Sequence, residues 1–177
     1  MTDIQHVNVK IFAQPPVSFH WADLVPIFHR WIREKLLPET MIDVADYVHV
    51  PAGPGMMMIG HEAFYSVDNR QNQPGMLYNR RTPTEGSLAE KLGQAYDGAV
   101  RAARALEQEP SLGGKLHFNE AECEVFINDR LLAPNTEETW SALRPQLESF
   151  FATRFGRSPQ LQWNGASREL FRVRVRS

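Results

Sequence analysis

Ser87-Leu88-Ala89-Glu90 opens the stretch that most limits how this chain can fold. Ser-x-x-Glu is a capping box: the hydroxyl accepts from the amide three residues on, and the carboxylate reaches back to the first amide. Leu88, Leu92, Tyr96, Ala99, Ala103 and Leu106 then recur on one helical face, and Pro110 with Gly113-Gly114 stops the run, giving one helix over 87–109. Gly93, Ala95, Gly98 and Ala102 keep this helix thin. A glycine costs up to about 1 kcal/mol inside a helix, so its two glycines imply close approach to a sheet or to another helix.

The flanking segments supply the strands. Val7, Val9 and Ile11 alternate with Asn8 and Lys10 as in a half-buried strand, which Pro15-Pro16 ends. Trp21, Leu24, Val25, Phe28, Trp31, Ile32 and Leu36 fall at helical spacing, with Asp23 as cap, Pro26 tolerated in the first turn and Pro38 as stop. Met41 to Val50 and Met56 to Val67 read as two strands of a hairpin around the turn 51–55, and Met76 to Tyr78 as a short strand. Strands follow at 116–118 and 122–128. Asn135 caps a further helix with Glu138 reaching back; Trp140, Leu143, Leu147, Phe150, Phe151 and Phe155 form its buried face and Gly156 its exit. Strands 161–163 and 170–175, turning at Asn164-Gly165, complete the order β-α-β-β-β-α-β-β-α-β-β. The expectation is an α+β fold: a mostly antiparallel sheet with about three helices on one face, or a mixed sheet as the alternative. A single domain over 1–177 is expected, with a two-part structural echo at about 4–82 and 115–177 bridged by the helix 87–109.

Composition narrows the function classes. At 177 residues, with 42% hydrophobic and 23% charged, the chain can bury a core without staples. Cys123 is its one cysteine, which excludes a disulfide framework and a cysteine-rich zinc site. A net charge of −2 gives no overall pull toward nucleic acid or an anionic membrane. Met1 to His6 has neither a basic start nor an apolar run, and no segment approaches a membrane span, so a cytoplasmic location is the expectation by elimination.

The densest group of chemistry-bearing residues is the hairpin. A five-residue turn would set Val50 opposite Met56 and His61 opposite Ala45, with Asp43 and Tyr47 as diagonal neighbours of His61 on the same face. A carboxylate beside an imidazole fixes its tautomer and raises its basicity, so His61 would be a base, Asp43 its orienter and Tyr47 an acid or anion contact. The plainer reading of these three is a half-exposed hydrogen-bonded patch, and a register slip of one residue separates them. His49 shares their face but lies four residues from His61, roughly 13 Å at strand rise, too far for one metal ion; neither a metal nor a cofactor is expected. Pro51-Ala52-Gly53-Pro54-Gly55 lacks the Lys-Ser/Thr ending of a phosphate loop and reads as a rigid turn. Met56-Met57-Met58 is core or an adaptable contact surface. Arg172, Arg174 and Arg176 alternate with Phe171, Val173 and Val175, so one strand face carries three cations. With His49 they are the candidates for binding a small anionic ligand; a solvated or aggregation-blocking face is the plainer reading.

The leading functional expectation is a non-enzymatic binding or accessory module that self-associates or docks on a protein partner, using sheet edges and the Met-rich hairpin. The alternative is a small-molecule enzyme or ligand-binding protein built on the 42–65 hairpin with the His61, Asp43 and Tyr47 cluster. Residue types alone leave open whether the chain is an enzyme.

Overall fold

A computed structural model describes residues 3–51, 53–166 and 168–177. It has an α+β fold. The strands are β1 (Val7–Ala13), β2 (Met41–Tyr47), β3 (Gly55–Gly60), β4 (Ala63–Asp68), β5 (Gly75–Arg80), β6 (Phe118–Ile127), β7 (Gln160–Trp163) and β8 (Phe171–Arg176). The helices are α1 (Leu24–Glu34), α2 (Leu88–Glu107) and α3 (Glu137–Phe155). All eight strands form one sheet, in the order β2-β3-β4-β5-β1-β6-β8-β7, and every pairing is antiparallel. Among the described residues no helix is long and apolar enough to cross a membrane.

Period-two alternation divides the sheet into two faces. Val7, Val9 and Ile11 of β1, Met76 and Tyr78 of β5, Tyr65 and Val67 of β4, and Cys123 and Val125 of β6 all point to the face that the helices cover, and all are buried. The capping box of α2 is formed: Ser87 Oγ accepts from the Glu90 amide and Glu90 Oε2 accepts from the Ser87 amide. Of its two glycines, Gly98 meets the sheet. A β-carbon there would sit 2.7 Å from Tyr78 Cδ2, which is why only glycine lets helix and strand come so near.

Glu39, in the connection from α1 to β2, accepts from Tyr65 Oη (2.6 Å) and Tyr78 Oη (3.0 Å). Burial, reinforced by this carboxylate, holds both phenols well above their ordinary pKa, so they stay protonated and donate. One carboxylate thus fastens the entry to β2 onto the two central tyrosines. In the C-terminal half of α1, Trp31 Nε1 donates to Glu109 (2.7 Å) and Arg30 pairs with the same carboxylate, tying α1 to the exit of α2. Trp140 of α3 stacks on Trp163 of β7, with centroids 5.8 Å apart.

Several local expectations change. The run 56–67 is two strands, not one, because Gly60 leads into a two-residue turn, His61-Glu62, and the chain doubles back. The segments 116–118 and 122–128 merge into the single strand β6. Helix α1 starts from a 3-10 turn at Trp21–Asp23, Asp23 makes no capping bond, and Lys35 in the left-handed region ends it. Thr136, not Asn135, caps α3, accepting from the Thr139 amide at 3.4 Å. Asn135 is buried and bridges to the β7–β8 connection, donating to Asn164 O and Ala166 O (2.8 Å each) and accepting from Trp163 Nε1 (2.7 Å).

Candidate functional site

The face of the sheet away from the helices has two unlike halves. On β1, β6 and β8 it is an ionic lattice. Arg172 pairs with Glu124 (2.6 Å), and Arg174 and Arg176 both pair with Glu122 (2.7 and 2.6 Å). Arg172 lies 4.2 Å over the ring of Phe126 and Arg174 4.1 Å over that of Phe12. Lys10, 3% exposed, reaches from β1 across β5 to pair with Asp68 of β4. Gly75 makes that crossing possible, since a β-carbon there would sit 2.7 Å from Lys10 Cε. The β4–β5 connection folds over this half, where Arg70 pairs with Glu169 (3.0 Å) and Gln73 accepts from Arg174 (2.8 Å). Burial lowers the pKa of Lys10 and of Arg172 by penalising their charged forms. The three arginines that the sequence offers to an anion are therefore already matched by carboxylates on the neighbouring strand.

The other half, on β2, β3 and β4, has no such lattice. Asp43, Ala45 and Tyr47 of β2, Met57 and Ile59 of β3 and Phe64 of β4 share this face by register. Met57, Ile59 and Phe64 are half-buried, while Asp43 and Tyr47 are exposed. β2 is the outermost strand, paired with β3 on one side and, among the described residues, with no strand on the other.

Within this hairpin the expected convergence does not occur. Asp46 faces Met56 and Ala45 faces Met57, so the register is four residues away from the one that set His61 opposite Ala45. The connection runs from Val48 to Pro54 and is centred two residues earlier than the turn 51–55, which accounts for the offset of four. His61 sits in the β3–β4 turn, where its amide donates to Thr40 O (3.1 Å). Tyr47 pairs with Gly55 at the far end of β3, roughly 20 Å from His61 at strand rise. Asp43 Oδ1 accepts from the Val44 amide (2.8 Å) rather than from an imidazole. His49 lies exposed in the β2–β3 connection. The structure therefore brings Asp43 and Tyr47 onto one strand face and leaves His61 apart.

Hollows lie elsewhere. One of about 440 Å³ opens between the start of α2 and α3, beside Leu88, Leu132 and Leu143, and another of about 510 Å³ continues along the same helices. Neither is lined by His61, Asp43, Tyr47, His49 or the three arginines. Among the described residues no three His, Cys, Asp or Glu side chains gather as a metal ion would need.

What residue-by-residue reading missed is the edge itself. Ile42 (51% exposed) and Tyr47 (39%) on β2 and Val50 (39%) in the connection after it leave large apolar side chains in water, as does Leu36 (46%) after α1. Ile42 stands at a bulge, where the register shifts between Met41 and Asp43. The clue was in the run Met56 to Val67: twelve residues exceed the usual strand length, and Gly60 followed by two polar residues marks a turn that moves Met41–Tyr47 to the outside. No protein-family model, no curated protein and no solved structure matches the chain.

Proposed function

We propose that this chain is a non-enzymatic docking module that takes an extended polypeptide along the free edge of β2. The supporting observation is where apolar surface stays in water. Of the five large hydrophobic residues exposed among the described residues, Ile42 and Tyr47 lie on β2 and Val50 in the connection that follows it, while Leu36 follows α1 and Leu131 lies between β6 and α3. Edge strands present unpaired N–H and C=O groups and are usually blunted by charge or by a covering segment. The opposite edge, β7, turns Gln160 and Gln162 to solvent and exposes no large hydrophobic residue. A strand added to β2 would satisfy its backbone groups and cover Ile42 and Tyr47, with Met57, Ile59 and Phe64 extending the contact over the open face.

The test compares the two edges. Ile42→Lys and Tyr47→Lys place charge on the β2 edge, and Gln162→Lys places it on β7. All three positions are solvent-accessible, so the melting temperature by circular dichroism should be nearly unchanged. Native-extract pull-down should then show a partner retained by the wild type and by Gln162→Lys, and lost from the two β2 variants. A protein that retains nothing, or retention indifferent to charge on β2, overturns the reading.

A further inference from the structure

We infer that the segment accepted by β2 carries two cationic side chains three residues apart within an otherwise apolar strand, and that it is not a second copy of this chain. The inference rests on the edge-docking reading and names its partner. The ground is the charge left on the edge. Asp43 points to the open face, level with Ile59, and Asp46 to the helix-covered face, level with Met56. Each bonds only to a nearby backbone amide, Val44 and Val48 respectively, and neither forms an ion pair among the described residues. One unmatched carboxylate therefore stands on each side of the seam where a new strand would lie. This contrasts with β8 and β6, where each arginine of β8 touches a carboxylate of β6, Arg174 and Arg176 sharing Glu122.

Cross-strand neighbours share a face, so an incoming strand meets Asp43 and Asp46 with two side chains three positions apart, one on each of its own faces. Between them it meets Val44 and Ala45, and outside them Ile42 and Tyr47. The complementary sequence is apolar-cation-apolar-apolar-cation-apolar. That pattern reads the same in both directions, so it suits a parallel or an antiparallel arrival. A second copy fits badly, because β2 carries no cation and pairing it with itself gathers four carboxylates along one seam.

The experiment uses the full chain and blocked, fluorescent peptides containing Ile-Lys-Val-Val-Lys-Ile, with Ile-Glu-Val-Val-Glu-Ile as the charge-reversed probe, read by anisotropy. The lysine peptide should bind about tenfold more tightly than the glutamate peptide, and Asp43→Lys/Asp46→Lys should invert that order. Of the two forms of the lysine peptide N-methylated at alternate residues, one should keep its affinity and the other lose it, since an added strand pairs through every second amide. Equal binding of both charge forms, or binding of neither, overturns the cationic partner, while the loss of extract capture in Ile42→Lys would leave edge docking standing. Peptide binding indifferent to Ile42→Lys and to both N-methylation patterns overturns edge docking as well. A dimer that Ile42→Lys dissolves would put a second copy on the edge and overturn the inference.

Discussion

At Gly98 a single methyl group decides whether α2 can lie on the sheet. It would sit 2.7 Å from Tyr78 Cδ2 and 3.2 Å from the Tyr65 hydroxyl, inside van der Waals contact with two rings that Glu39 holds in place. Overpacking costs about 1–3 kcal/mol, against a helix-propensity gain of about 1 kcal/mol, so Gly98→Ala should lower stability. At Gly93 the nearest atoms stand at 3.6 and 3.9 Å, ordinary contact, so Gly93→Ala should raise stability by up to about 1 kcal/mol. Urea denaturation of the two variants should show midpoints moving in opposite directions; movement in the same direction would contradict the packing described here. The need for small residues was legible in the sequence, and so was the capping box, because both are local. That Asn135 bridges two loops instead of capping α3 was not legible: its partners, Asn164, Ala166 and Trp163, are brought to it only by the tertiary fold.

At the scale of strands, β6 and β8 form an ion ladder whose pH response can be stated. Burial opposes ionisation of Glu122, but bonds from Arg176 and Arg174 outweigh it and hold its carboxyl below the ordinary value of 4.5. A group with a lowered folded pKa contributes stability above its unfolded pKa and loses that contribution as pH falls through the folded one. Glu122→Gln should therefore be less stable than the wild type at pH 7, with the difference shrinking as pH drops below about 4.5. Denaturation midpoints measured from pH 3 to pH 7 would check this, and a constant difference would count against it. The alternation of arginines along β8 was plain in the sequence. What one sequence does not give is that the two strands are neighbours, and neighbourhood brings all three candidate anion ligands onto Glu122 and Glu124. The His61 cluster failed for a related reason: period-two alternation sets which face a residue takes, but not where a partner strand begins, and a connection centred two residues earlier moved the pairings of Asp43 to Tyr47 by four.

Across the molecule, Cys123 offers a probe of concerted opening. It is 0% exposed in the middle of β6, and burial pushes its thiol far above the usual pKa, so it is screened from reagents and disfavoured as thiolate. Labelling by a thiol reagent at pH 8 should be slow in native buffer and should rise with urea in step with the loss of circular dichroism. Fast labelling of the native protein would mean that the centre of the sheet opens independently of the rest.

The strand order also bears on how the chain reaches this state. β1 comes first in the chain but stands inside the sheet, flanked by β5 and β6. Its first hydrogen-bonding neighbour begins at Gly75 and its second at Phe118. While the polypeptide is being made, its earliest strand must wait with both sides bare until segments far downstream emerge. Folding dominated by such distant pairings is slow, and the exposed Val7–Ala13 strip is where a nascent chain of this design would most need a chaperone's cover.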